Sequence, residues 1–343
     1  MDDEPTSATN DQRFMRAALR EARRGIGWTS PNPAVGAVIV RRGRIVARGY
    51  HRQAGQPHAE IEALRALKNP ASAHGAAIFV TLEPCSTQGR TPPCVDALIA
   101  AEFARVVVGA IDPNPAHAGR GIDQLRAAGI EVTAGVLGDE CRDLNAAFNK
   151  WIVTGLPFVI AKAGMSLDGR LTRPPGEGQW LTSAASRADV HRLRAQVDAI
   201  LIGAGTLRAD NPRLTVRGID RARQPWRVIA AGREPLPKQA YVFTDKYRKR
   251  TLVFRGQPLR TILRELGHRQ ITSVLIEGGT RVLGEAFDAR LVDRVQFYVA
   301  PLLCGGPAVV VGGKGADSTA ESLTIKNPRY ARIGGDLRLT GDL

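Results

Sequence analysis

Apolar positions along this chain recur with a helical period in some stretches and a strand period in others, and the two alternate. From Asp11 to Arg24, Phe14, Met15, Ala18, Leu19 and Ala22 return at helical spacing among arginines, which predicts an amphipathic helix backing a sheet. The stretches 35–40 and 45–49 flank Arg41-Arg42-Gly43 and predict a β-hairpin. A helix over 59–67 and a strand over 76–81 follow. After a loop rich in Pro, Gly, Ser and Thr, Pro93 suits the first position of a helix running through Ala100, where a missing N–H costs nothing. Strands at 105–109 and 131–134 enclose a helix at 121–128, so an α/β sandwich is expected.

A closing helix over 139–154 should stop at Gly155-Leu156-Pro157, because proline cannot continue a helix interior. The expected domains are therefore residues 11–154 and 157–343, with Met1 to Asn10, acidic and polar, as a frayed tail rather than a secretory signal. In the second half, strand candidates at 158–163, 199–202, 226–230, 252–254, 271–277 and 295–300 alternate with helices near 184–196, 259–266 and 281–288. That half is α/β as well.

Composition narrows the classes. At 343 residues the chain exceeds the size at which one core stops growing. Hydrophobic residues at 43% and charged residues at 24% suit a soluble globular protein, and no run of about 18 apolar residues could span a bilayer. A cytoplasmic protein with no membrane partner is expected. The formal charge of +15 favours anionic ligands such as nucleic acid, phosphorylated metabolites or a dinucleotide, although the basic residues are scattered and only Lys246 to Arg250 forms a cluster. Four cysteines, unevenly spread, are too few for a disulfide framework, so a metal reading gains weight.

His58-Ala59-Glu60 opens a predicted helix, and Cys85 with Cys94 lies across the next strand and loop. One imidazole and two thiolates hold a zinc ion and leave a fourth position for water, the catalytic rather than the structural arrangement. Glu60, two residues from His58, would reach that water rather than the metal and act as the catalytic proton shuttle. Cys141 and Cys304 have no metal-type spacing, and His74 reads as a solvated loop histidine, so a closed site lacks a fourth ligand. The H-x-E…P-C signature is that of zinc deaminases, with eight residues, Ser86 to Pro93, where the compact form has two.

With His51, His58-Ala59-Glu60 and the run from Pro84-Cys85 to Pro93-Cys94 in view, the chain closely resembles the bifunctional riboflavin-biosynthesis deaminase/reductase family. Further matching segments are Pro31-Asn32-Pro33, Asp112-Pro113-Asn114-Pro115, Lys162 to Arg170, Gln179 to Ser183, Asp210-Asn211-Pro212, Leu214 to Arg217 and Glu277-Gly278-Gly279. The resemblance implies an N-terminal cytidine-deaminase-like α/β/α sandwich with a mixed sheet and a C-terminal dihydrofolate-reductase-like α/β domain. It implies zinc-dependent deamination of 2,5-diamino-6-(5-phospho-ribosylamino)pyrimidin-4(3H)-one, followed by NADPH-dependent reduction of the ribosyl to the ribityl chain. One zinc ion per chain, NADPH, a small phosphorylated pyrimidine and a homo-oligomer are the implied partners, without nucleic acid.

Carried over by the same resemblance, Asn32, His51, Arg90, Asp112 and Asn114 line the deaminase substrate site. In the second half Gly178, Arg194, Leu214, Arg217 and Glu277 meet substrate, and Gly164, Trp180, Thr206 and Asp210 meet NADPH. The loop and helix start formed by Gly279, Thr280, Arg281, Val282, Leu283, Gly284 and Glu285 complete the cofactor set, its N–H groups offered to a pyrophosphate. Read without the resemblance, that loop is an ordinary strand-to-helix turn, Thr206 and Asp210 are loop residues, Trp180 is a core aromatic and Lys162 a snorkelling strand residue. The chain departs from the family pattern at Thr87, where many relatives carry histidine, at Gly178, and after Arg227 to Gly232, where an aspartate and a serine are missing. Two alternatives stand beside the bifunctional reading: a tRNA base deaminase, and a deaminase whose second half is a non-catalytic module.

Overall fold

The computed structural model describes residues 7–87, 92–171, 180–220 and 223–343. The chain divides into two compact units, Met1–Gly155 and Leu156–Leu343.

The first unit is built on α1 (Ser7–Arg23), β1 (Gly36–Arg41), β2 (Arg44–Tyr50), α2 (Ala59–Arg65), β3 (Ala77–Leu82), α3 (Cys94–Ala100), β4 (Arg105–Ala110), α4 (Arg120–Ala127), β5 (Glu131–Ala134), α5 (Gly138–Leu144) and α6 (Ala146–Thr154). Its sheet runs β2-β1-β3-β4-β5, with β1 antiparallel to both neighbours and β3, β4 and β5 mutually parallel. Strand side chains alternate between faces. Ile39, Ile78, Val80, Val106 and Val108 pack with Ala63, Leu98 and Leu125 of α2, α3 and α4. Val38, Phe79 and Val107 pack with Phe14, Met15 and Leu19 of α1 and Cys141 of α5. Two buried faces make the α/β/α sandwich.

The second unit comprises β6 (Phe158–Ser166), α7 (Ala184–Arg194), β7 (Ala199–Gly203), α8 (Ala204–Asp210), β8 (Trp226–Ala231), α9 (Tyr241–Thr244), β9 (Thr251–Arg255), α10 (Leu259–His268), β10 (Ser273–Ile276), α11 (Thr280–Asp288), β11 (Arg294–Ala300), β12 (Lys326–Ile333) and β13 (Asp336–Asp342). Its sheet order is β12-β13-β11-β6-β10-β7-β8-β9, parallel from β11 to β9 and edged by an antiparallel hairpin. Leu259, Ile262, Leu263, Leu283 and Ala286 of α10 and α11 cover one face, and Leu193, Leu207 and Val242 cover the other.

Four sequence expectations change. The tail read over residues 1–10 is helical from Ser7, since polar residues extend a helix already anchored by Phe14 and Met15; residues 1–6 lie outside the described ones. Pro93 caps α3 instead of opening it, because the Cys94 amide is turned to the Cys85 sulfur at 3.3 Å and begins the helix. The single helix expected over 139–154 breaks at Asn145. That buried amide accepts from the Ala34 N–H at 2.8 Å and donates to the Ala34 carbonyl at 3.0 Å. The hairpin β12–β13 was not expected: β12 is exposed along most of its length, so it carries no hydrophobic period.

Asn145→Ala leaves both Ala34 groups buried without partners and should destabilise the first unit by about 1–3 kcal/mol, read as a lower midpoint in denaturant unfolding.

Candidate functional site

In the first unit three chain segments converge beyond the carboxyl end of β3. His58 caps α2 in extended backbone, Cys85 follows β3, and Cys94 opens α3. His58 Nδ1 lies 3.3 Å from Cys94 Sγ and 3.5 Å from Cys85 Sγ, and the three ligand atoms fall within 4.8 Å of one another. Tetrahedral zinc, with bonds of about 2.0 Å to nitrogen and about 2.3 Å to sulfur, spaces such atoms about 3.5 Å apart. The cluster contains three side chains among the described residues, which fits a metal with an open position. The Cys85 thiol is drawn far down, to about 4, by the hydrogen bond from Cys94 and by His58, whereas Cys94 is held up by that same bond and by burial. A divalent cation would relieve this conflict between two crowded sulfurs.

Glu60, in the first turn of α2, is 3% exposed, and burial pushes its carboxyl up to about 7. Its Oε2 is buried and has no hydrogen-bond partner among the described residues. A carboxylate buried this deeply beside the cluster, with one oxygen unpaired, is suited to hold a proton.

His58 and Cys85 of the cluster, with Glu60, line a cleft of about 210 Å³ together with Asn32, His51, Asp112, Asn114, His117, Phe148 and Ile152. His51 Nδ1 is 3.0 Å from the Pro57 carbonyl and its Nε2 is 3.2 Å from Asn32 Nδ2. A donor on one side and an acceptor on the other require a neutral ring, in keeping with the burial that lowers its pKa. One wall is organised by Glu83, which is 5% exposed. Its carboxylate accepts the backbone N–H groups of Asp112 at 3.2 Å, Gly119 at 3.0 Å, Gly121 at 2.9 Å and Ile122 at 3.4 Å. The segment carrying Cys85 is thereby tied to the loop carrying Asp112 and Asn114.

In the second unit charged groups meet at the carboxyl ends of parallel strands, where α/β sheets bind ligands. Arg194, at the end of α7, forms a paired contact with Glu277, Nε to Oε1 at 2.6 Å and Nη2 to Oε2 at 2.7 Å, and donates to the Thr215 carbonyl at 3.1 Å. Lys162 of β6 lies 3.9 Å from Glu277 Oε2. Burial pushes the Glu277 carboxyl up, but Arg194 and Lys162 outweigh it and hold it at about 2; burial pulls the Lys162 ammonium below its ordinary range. His191 is lowered to about 4 by burial, Arg194 and Arg217, and its Nδ1 accepts the Arg217 N–H at 3.3 Å.

Beside this group, Gly279 caps α11 and donates to Thr206 Oγ1 at 3.1 Å. A Cβ at Gly279 would come within 3.2 Å of that oxygen, and one at Gly278 within 2.8 Å of Val282. The close approach of α8 and α11 therefore rests on Gly279, while Gly278 leaves room for Val282 in the first turn of α11.

Comparison with known proteins now has a site to explain. Residues 8–110 match the cytidine and deoxycytidylate deaminase zinc-binding region, and residues 157–339 match the RibD C-terminal domain. The riboflavin biosynthesis protein RibD of Aquifex aeolicus is 38% identical over 95% of this chain and 97% of its own, and that of Escherichia coli is 40% identical over 96% and 98%. The solved RibD of Acinetobacter baumannii, at 38% identity, superposes with a TM-score of 0.89 over 98% of this chain and 100% of that one. A deaminase/reductase structure from Thermotoga maritima, at 34% identity, gives 0.90 over 98% and 99%. The chain belongs to the RibD family.

Within this RibD fold the residues expected from sequence are distributed unevenly. His58, Glu60, Cys85, Asn32, His51, Asp112 and Asn114 share one cleft, and Cys94 is buried behind it against His58. Arg90 and Gly178 lie outside the described residues. Arg194 and Glu277 meet, while Arg217 is exposed nearby, and Leu214 is buried with a left-handed φ of 50°. Gly164 is close enough to Thr182 that a Cβ would sit 3.1 Å from it. Trp180 is 54% exposed under the Arg187 guanidinium, so it is no core aromatic, and Asp210 is exposed at the end of α8. Of the helix-start set, Gly279, Thr280, Arg281 and Val282 lead α11; Leu283 is core, Gly284 packs on Gly312, and Glu285 accepts the Leu259 N–H at 2.7 Å. His74 is exposed and paired with Glu102.

Sequence reasoning passed over Glu83 and His117 and gave Lys162 only a bland role. Glu83, adjoining Pro84-Cys85, offered the one available signal, a carboxylate beside a metal ligand.

Replacing Glu83 with Gln substitutes a donor for one acceptor. The amides of Asp112, Gly119, Gly121 and Ile122 should then exchange hydrogen at least about tenfold faster, measured by native-state exchange. For His191 the folded pKa lies below 6.5, so the unfolded state takes up its proton first. Stability of the second unit should fall as pH drops from 6.5 toward about 4, and His191→Asn should flatten that interval in thermal melts.

Proposed function

We propose that residues 11–154 deaminate 2,5-diamino-6-(5-phospho-ribosylamino)pyrimidin-4(3H)-one hydrolytically. Residues 157–343 then reduce the ribosyl chain of the product to ribityl with NADPH, in the cytosol. The observation that carries this reading is the imidazole–dithiol cluster beside the buried carboxylate of Glu60, one oxygen of which has no partner among the described residues.

Zinc, one per chain, would be held by His58, Cys85 and Cys94, and when bound it supplies a Lewis acid that lowers the pKa of water toward about 7. Glu60 takes the proton released as water adds to C2 of the pyrimidine and hands it to the departing amino group, so that ammonia leaves. A carboxyl that titrates near neutrality can do both. Asn32, His51, Asp112 and Asn114 present amide, imidazole and carboxylate edges that suit a diaminopyrimidinone, and Phe148 and Ile152 keep water from the ring. Arg90 is assigned to the phosphate by family likeness.

In the second unit NADPH supplies hydride. The α11 start from Gly279 to Val282, with Thr206, Gly164, Trp180 and Asp210, would hold it; Gly279 itself already donates to Thr206, so the anion falls to the amides that follow. Lys162 holds a proton at Nζ for the sugar ring oxygen freed as the ribosyl ring opens, and Glu277 keeps that ammonium in place. Arg194 is committed to Glu277 and Thr215, which leaves Arg217 to meet the substrate phosphate. A half-buried trio of charges drawn together is costly to fold, which favours a working reductase over an inert module.

The decisive assay combines zinc analysis with ammonia release and NADPH oxidation on the diaminopyrimidinone phosphate; zinc-loaded protein that does neither sinks the proposal. Glu60→Gln should keep its zinc and the reductase rate while kcat for ammonia release drops about 10³-fold.

A further inference from the structure

The deaminase cleft contains an imidazole to which neither the sequence pattern nor the steps above give a role. His117 lies on the cleft wall with Asp112 and Asn114, half-buried. Its Nδ1 is 3.4 Å from Thr87 Oγ1, two residues past Cys85. Its turn is rigid: the His117 N–H donates to the Asn114 carbonyl at 2.8 Å, and Gly119 and Gly121 just beyond are fastened to Glu83. Thr87 is exposed, whereas Glu60, which lines the cleft, is buried. The His117–Thr87 pair therefore marks the rim.

We infer that His117, together with Thr87, binds the phosphoribosyl arm of the substrate at the mouth of the deaminase cleft. The inference rests on the deaminase reading. If C2 of the pyrimidine must reach Glu60, the substituent on C6 trails toward the rim. An imidazole that spends one nitrogen on Thr87 keeps the other for a sugar hydroxyl or phosphate oxygen.

The test uses the full-length, zinc-loaded enzyme. His117→Ala should raise KM for ammonia release about tenfold with kcat within about twofold and zinc and reductase rates unchanged. Adding Thr87→His should recover most of the lost KM. As a competitive inhibitor, the armless base 2,5,6-triaminopyrimidin-4-one should bind His117→Ala and wild type alike. An unchanged KM, a fall confined to kcat, or an equal weakening of the armless base would each overturn the assignment. Should His117→Ala lose zinc, His117→Leu, which keeps volume without ring nitrogens, decides by the same readings. Wild-type protein that releases no ammonia would instead overturn the deaminase reading itself.

Discussion

An imidazole nitrogen cannot be held within about 3.5 Å of two sulfurs in a largely buried pocket at no cost, and the first unit is organised around that constraint. Cys85 is driven toward the thiolate and Cys94 away from it, because two anions there would repel without a cation between them. Pro93 at the cap of α3 and the Cys94 amide on the Cys85 sulfur keep the second ligand from rotating out. Asn145, bridging Ala34, fixes the turn into α6, whose Phe148 and Ile152 close the cleft.

The two units place their charged groups in the same topological position and treat a buried carboxylate in opposite ways. Cys85 and Asp112 follow the parallel strands β3 and β4; Glu277 and Thr206 follow β10 and β7. Glu60 has no cation bonded to it, so burial dominates and its carboxyl rises to about 7. Glu277 is gripped by a guanidinium and faces an ammonium, so its carboxyl is held at about 2 and stays ionised despite its own burial. The first arrangement suits a group that must exchange a proton, and the second suits one that must keep a charge.

Glu83 shows how positioning can be separated from chemistry. Four amides on one carboxylate satisfy a loop that would otherwise expose unpaired N–H groups to a dry interior. The wall that carries Asp112, Asn114 and His117 is therefore set by a residue whose own side chain points into backbone.

The amino-acid sequence by itself determined the α/β class, the chain segments that form most strands and helices, and the meeting of His58, Cys85 and Cys94 beside Glu60. Those signals are local: a period of apolar residues, a proline after a glycine, a histidine two residues before a glutamate. Tertiary structure alone decided the rest. The break at Asn145 depends on Ala34, 111 residues away, and β12, exposed on an edge, carries no apolar period to read. The commitment of Arg194 to Glu277 spans 83 residues, and the meeting of Thr87 with His117 spans 30. Such pairings arise from strand order and loop closure, and no spacing along the chain encodes them.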